Sequence, residues 1–161
     1  MGIMVQLLCL ILTISYIILL LIQSHLSLTT NSIMNISNLS ILVAEDNPMN
    51  TLLMKKLLAK WEITPDFAAN GEEAFNFFSA NHYDLILMDI HMPIMDGFEA
   101  TTMIRNYSDE LKAQTPIIAL TASVALDARE KISQAGINDF VSKPFNPDEL
   151  KEKLEEIAAK L

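Results

Sequence analysis

The sequence predicts an α/β fold: a doubly wound parallel sheet of five strands, each followed by a helix, with one hydrophobic helix ahead of it at the N-terminus. Three observations carry this expectation. After residue 40, short strand-like segments alternate five times with segments of helical period; such strand–helix repeats close into a parallel sheet through right-handed crossovers. The runs Ile41–Ala44, Leu85–Met88 and Pro116–Leu120 are continuously apolar, as strands covered on both faces are. The residues able to do chemistry stand at the C-terminal ends of these runs, on the edge where open α/β sheets bind ligands. Periodicity does not give the order of the strands.

The chain has 161 residues, enough for one domain and an appendage. No Asp, Glu, Lys or Arg precedes Glu45, so the net charge of -9 belongs entirely to the later part. An acidic domain repels nucleic acid, and no nucleic-acid partner is expected. The single cysteine, Cys9, excludes an internal disulfide and a cysteine-based metal site, as suits a reducing compartment.

Residues 3–22 are apolar except for Gln6, Thr13, Ser15 and Tyr16, long enough as a helix to span a bilayer. The expected organisation is a transmembrane helix over 1–23, a Ser-, Thr- and Asn-rich linker over 24–39, and a globular domain over 40–161. A signal peptide is disfavoured by the missing basic start and cleavage site. Translation from Met34 would leave a cytoplasmic protein. The first basic residues, Lys55, Lys56 and Lys60, follow the apolar segment and place the domain in the cytoplasm.

Within the domain, Ile41–Ala44 leads to Glu45 and Asp46. Asn47 caps and Pro48 begins a helix to Trp61, with Leu52, Leu53 and Leu57 read as apolar against Lys56 and Lys60. Glu62 stands where glycine would end that helix more easily. Ile63–Ala68 is a weaker strand, an edge on account of Pro65. Asn70-Gly71 turns into a helix to Ala80 with Ala74, Phe75, Phe77 and Phe78 as its buried stripe. The central strand ends at Asp89. A helix spans 98–106, residues 108–114 read as loop, the next strand ends at Thr121, and Val124–Ala135 is a helix stopped by Gly136. Asp139–Ser142 is the last strand. Lys143-Pro144 follows, then a helix from Asn146 and Pro147 with Leu150, Leu154, Ile157 and Leu161 on one face.

In a parallel sheet the strand ends share one edge, so Glu45, Asp46, Asp89, Thr121 and Lys143 converge. Three carboxylates held together need compensation. The Lys143 ammonium and a hard divalent cation such as Mg²⁺ supply it. A carboxylate can attack phosphorus to give an aspartyl phosphate, and a cation, a lysine and a hydroxyl are the groups that stabilise the charge of a transferring phosphoryl group. The set reads as Asp89 the acceptor, Glu45 and Asp46 metal supports, and Lys143 and Thr121 phosphoryl contacts. No Gly-rich phosphate loop and no histidine base beside a Ser or Cys nucleophile stand in these loops, so a phosphoryl donor is expected rather than a bound nucleotide.

With Glu45-Asp46-Asn47-Pro48, Leu85–Asp89 followed by Met92-Pro93-Ile94-Met95-Asp96-Gly97, Ala119-Leu120-Thr121-Ala122 and Lys143-Pro144-Phe145 in this order, the chain from Ile41 to about Lys160 resembles the receiver domain of two-component response regulators, above all receivers attached to hybrid sensor kinases. The resemblance implies a flavodoxin-like sheet in the order 2-1-3-4-5, phosphorylation of Asp89 and Mg²⁺ dependence. It also implies a metal ligand in the main-chain carbonyl of His91, a cis bond before Pro144, and Phe140 as the aromatic that moves with Thr121. The implied partner is a histidine kinase or histidine phosphotransfer protein. The module is a signalling receiver rather than an enzyme, though it assists its own Mg²⁺-dependent phosphorylation and dephosphorylation. The side chain of His91 reads as a solvated loop residue, Asp96 as serving the turn at Gly97, His82 as surface, and Trp61 as packing at a helix end. No DNA-binding module, kinase ATP site or phosphotransfer-histidine domain is recognisable. The expected role is a membrane-tethered phosphorelay receiver; the alternatives are a docking module that binds Mg²⁺ without phosphoryl turnover, and a fragment of a larger membrane hybrid kinase.

Overall fold

The structure, a computed structural model, describes residues 36–122 and 126–161. The expected membrane helix over 1–23 and most of the expected linker lie outside these residues, as does Val124, the expected start of the helix before Gly136. Among the described residues no helix is long and apolar enough to cross a membrane.

The order of elements is β1 (Ile41–Ala44), α1 (Pro48–Ala59), β2 (Asp66–Ala68), α2 (Gly71–Ala80), β3 (Leu85–Asp89), α3 (Gly97–Arg105), β4 (Ile117–Thr121), α4 (Leu126–Gln134), β5 (Asp139–Ser142) and α5 (Pro147–Ala158). The five strands are parallel in the order β2-β1-β3-β4-β5, the flavodoxin-like order. β3 is central, and every residue of it is buried.

Successive strand residues face opposite sides, and the core divides accordingly. Ile41, Val43, Leu85, Leu87, Ile118 and Leu120 pack under α1 and α5 through Met54, Leu57, Leu58, Leu150 and Leu154. Leu42, Ala44, Ile86, Met88, Ile117 and Ala119 pack under the other helices through Ala74, Phe78, Ala100, Ile104 and Ile132. An apolar run thus supplies both faces, which is why these strands show no alternation.

Several local expectations are corrected. Ile36 and Leu39, inside the expected linker, are buried in the first core around a 3-10 turn at Ile36–Asn38; two apolar residues among polar ones suffice to dock the segment, so the domain includes residues before Ser40. α1 buries Met54, Leu57 and Leu58, and not Leu52 or Leu53, which are 46% and 48% exposed. The i, i+3, i+4 set from Met54 is the stripe that meets the sheet. In α2 that stripe is Ala74 and Phe78, one turn apart; Phe75 packs on Tyr107, and Phe77 lies exposed on the other flank. Leu161 is exposed because α5 has already ended. A short helical turn, Glu110–Ala113, stands in the expected loop, capped by Asp109.

The helix starts match the chemistry of their caps. Asn47, Asn70, Asp96 and Asn146 each accept backbone N–H groups from the first turn of the helix that follows, replacing partners the helix lacks there. α1 ends with Glu62 at φ 62 while the Ile63 N–H donates to the Leu58 carbonyl. That is the wrap normally given to glycine. Trp61 packs against the core at this end.

Candidate functional site

The loops after β1, β3, β4 and β5 share one edge of the sheet, and four of the expected side chains meet there. The carboxylate oxygens of Glu45, Asp46 and Asp89 include one from each residue within 4.8 Å of the others. Glu45 and Asp89 are buried; Asp46 is exposed. Lys143 crosses from the end of β5, and its ammonium lies 2.5 Å from Asp89 Oδ2 and 2.6 Å from Glu45 Oε2. Burial alone would lower the Lys143 pKa, but the hydrogen bonds and charges of Asp89 and Glu45 outweigh it and hold the group above its ordinary range.

Each acid is oriented by the backbone of its own loop. The His91 N–H donates to Asp89 Oδ1 at 3.1 Å, leaving Oδ2 to Lys143. Glu45 Oε1 accepts from the Asn47 N–H at 3.2 Å and from the Asn50 side-chain amide at 2.9 Å. The side chain of His91 is exposed; its amide is the part that reaches the site. The Lys143-Pro144 bond is cis, as the resemblance implies, and the Lys143 backbone N–H donates to the Thr121 carbonyl at 2.7 Å. Thr121 itself is buried at the end of β4.

Phe140 sits on β5 beside Ala119, half-buried, with the Arg129 guanidinium 4.9 Å and the Lys153 ammonium 5.9 Å from its ring centre. Lys153 also pairs with Asp139 at 2.5 Å. Asp96 caps α3 in a reciprocal box with Glu99, the turn-serving role read from the sequence. His82 is exposed.

Two contributors escaped the sequence reading. Asn50 looks like an ordinary polar residue of α1, and only the folded turn brings its amide to Glu45. Gly97 was read as turn chemistry, but its role is close approach. A Cβ there would stand 2.3 Å from the Asp89 carbonyl oxygen and 3.0 Å from Ile90 Cα. The Gly97 N–H also donates to the Ile90 carbonyl at 3.0 Å, so the β3–α3 loop closes tightly on the end of β3. In that loop Ile94 has φ 70 and is 78% exposed.

The donor set is hard oxygen at an open rim, which fits Mg²⁺ better than a thiolate- or imidazole-seeking metal. Two buried carboxylates sharing one ammonium leave negative charge over, which a divalent cation beside Asp46 would neutralise.

Known proteins give the same reading. The family description "Response regulator receiver domain" matches residues 41–155. The chain is 43% identical over 112 residues to hybrid signal transduction histidine kinase I of Dictyostelium discoideum, a match covering 66% of this chain and 6% of that protein. It is 40% identical over 119 residues to the sensor protein EvgS of Escherichia coli K12, covering 74% of this chain and 10% of that one. The chain thus corresponds to a small part of these relatives. Among solved structures, the receiver domain of a sensor histidine kinase from Pseudomonas aeruginosa, with magnesium coordinated in its active-site cleft, superposes with a TM-score of 0.69 at 37% identity over 74% of this chain and 97% of that one. The receiver domain of a Saccharomyces cerevisiae response regulator, solved with its upstream histidine phosphotransfer signalling protein, gives 0.70 at 32% identity over 74% of this chain and 88% of that one. With the fold, the strand-edge acids and the family match in agreement, the chain belongs to the receiver domains of response regulators, the phosphoacceptor modules of two-component phosphorelays.

Proposed function

We propose that Asp89 is the phosphoacceptor and that Glu45, Asp46, Asp89 and the main-chain carbonyl of His91 hold Mg²⁺ around it. The observation that carries this reading is the convergence of three carboxylates within 4.8 Å, with Lys143 bridging Asp89 and Glu45. An Asp89 carboxylate oxygen attacks the phosphorus of a phosphohistidine. The new O–P bond forms as the P–N bond breaks, and the electron pair returns to the imidazole of the donor, which takes up a proton. Bound Mg²⁺ supplies neutralisation of the peripheral phosphoryl oxygens. Lys143 leaves its two carboxylates to pair with one of those oxygens, and the Thr121 hydroxyl donates to another. As Thr121 moves, Phe140 on the adjoining strand turns inward and alters the surface of α4, β5 and α5. Hydrolysis of the acyl phosphate at the same site resets the receiver.

The donor is a histidine kinase or a histidine phosphotransfer protein, and its docking face is the outer side of α1. Met49, Leu52 and Leu53 are 73%, 46% and 48% exposed there. A groove of about 400 Å³ runs from Glu45 and Asp46 along Pro48, Leu52 and Lys55. An apolar face continuous with the acceptor edge would let a partner bury surface while presenting its histidine to Asp89. The complex between a yeast receiver and a phosphotransfer protein supports this kind of partner. The apolar segment over residues 3–22 is proposed to tether the receiver to a membrane with its domain in the cytoplasm. Membrane fractionation of the full chain against a chain begun at Met34 tests this.

Incubation with acetyl phosphate and Mg²⁺, followed by intact-mass measurement, tests the central assignment. One phosphoryl group should add to the wild type and none to Asp89→Asn. Mg²⁺ binding without any phosphoryl adduct would instead make the domain a docking module.

A further inference from the structure

We propose that Asn50 is a positioning residue for the metal site, acting through Glu45. This rests on the reading that Glu45 and Asp46 support a divalent cation. Glu45 is the most deeply buried acid of the three, and its side chain is only 1% exposed. A glutamate has three side-chain torsions to fix, and a carboxylate that wanders cannot hold a cation in place. Here each oxygen is assigned. Oε2 faces the Lys143 ammonium, while Oε1 takes the Asn47 N–H at 3.2 Å and the Asn50 amide at 2.9 Å. The side-chain donor is the shorter of the two. It comes from α1, whose Thr51 hydroxyl also reaches the Glu45 carbonyl at 3.3 Å.

The residue type follows from the task. An amide donates to the carboxylate without bringing charge. A lysine at this position would compete with the cation, and an aspartate would repel Glu45. Partners of this kind, one step removed from the metal, typically control its affinity by tenfold or more. The same helix presents Met49, Leu52 and Leu53 outward. A shift of α1 would therefore reach Glu45 through Asn50.

The test is Mg²⁺ titration of the full chain, followed by amide chemical shifts and by the rise in Tm with Mg²⁺. Asn50→Leu keeps the volume and removes the donor; Asn50→Ser keeps a polar group too short to reach Glu45. Both should bind Mg²⁺ about tenfold more weakly, with labelling by acetyl phosphate recovered at saturating Mg²⁺. Asn50→Gln, which keeps the amide, should recover most of the affinity. Unchanged Mg²⁺ affinity in both donorless variants, even with a lower Tm, would overturn the proposal and leave Asn50 a structural residue. Asp46→Asn separates the two layers of the argument. If it abolishes binding while the Asn50 variants do not, only the role of Asn50 falls; if it too binds normally, the metal site itself is misplaced.

Discussion

Replacing Lys143 with methionine removes the cation that, among the described residues, joins Glu45 to Asp89. Both contacts are short, 2.6 and 2.5 Å, and the lysine side chain is 17% exposed. At an effective dielectric constant near 20, each contact is worth roughly 6 kcal/mol before desolvation. Most of that repays the removal of three charged groups from water. What remains visible is the cost of leaving buried charge unpaired, about 3–5 kcal/mol for a fully buried pair. The partial exposure of Lys143 places this site at the lower end, about 3 kcal/mol. For a domain of this size that corresponds to a fall in Tm of about 12 °C. Mg²⁺ should return much of the loss, since a ligand at a hundred times its Kd contributes about 2.7 kcal/mol. At one fixed Mg²⁺ concentration the variant should gain more than the wild type, because no ammonium repels the cation. The Lys143 pKa is raised above its ordinary 10.5, so its stabilisation is complete below that value and is lost only as pH rises through the folded-state pKa. The difference between wild type and variant should therefore stay flat from neutral pH to about pH 9. Thermal and urea unfolding in EDTA and in Mg²⁺ provide the assay. Equal Tm values in EDTA would refute the claim that Lys143 compensates two buried carboxylates.

Three further outcomes follow from local geometry. Gly97→Ala drives a methyl group to 2.3 Å from the Asp89 carbonyl oxygen; overpacking of this kind costs about 1–3 kcal/mol, and because the shift falls at Asp89, the proposed phosphoacceptor, labelling by acetyl phosphate should slow by about 10²-fold, as timed intact-mass spectra would show. Ile94→Gly relieves a β-branched residue at φ 70 that buries little, a conformation costing roughly 1–2 kcal/mol against about 0.5–1 for the freedom glycine gains when unfolded, so urea unfolding should show equal or higher stability. Lys153→Met removes a cation 5.9 Å from the centre of the Phe140 ring, a contact worth about 0.5–1 kcal/mol that holds the ring in its present position; beryllofluoride, a phosphoryl mimic, should then bind about two- to fivefold more tightly by titration.

What was legible in the sequence was whatever depends on strand ends. Glu45, Asp46, Asp89, Thr121 and Lys143 each stand at the end of an expected strand, and a parallel sheet leaves such residues little choice of edge. The caps were legible for a similar reason, since Asn47-Pro48 and Asn146-Pro147 state a helix start in two residues. The outer face of α1 was not. Leu52 and Leu53 satisfy helical spacing as well as Leu57 does, and only the angle at which α1 meets the sheet decides that Met54, Leu57 and Leu58 go inward. Phe77 failed in the same way, because it and Phe75 flank the buried stripe of α2 equally and one neighbour, Tyr107, breaks the tie. Asn50 and Gly97 were hidden because their roles are distances to groups in other loops.

The measurement that tests the account most directly is reductive trapping after phosphorylation. Borohydride converts an aspartyl phosphate to homoserine, and peptide mass spectrometry then names the residue. With Mg²⁺ and a phosphohistidine or acetyl phosphate donor, the account predicts conversion at Asp89 and at no other acid. Conversion at Asp46, or a phosphoryl adduct that survives in Asp89→Asn at the wild-type level, would contradict it.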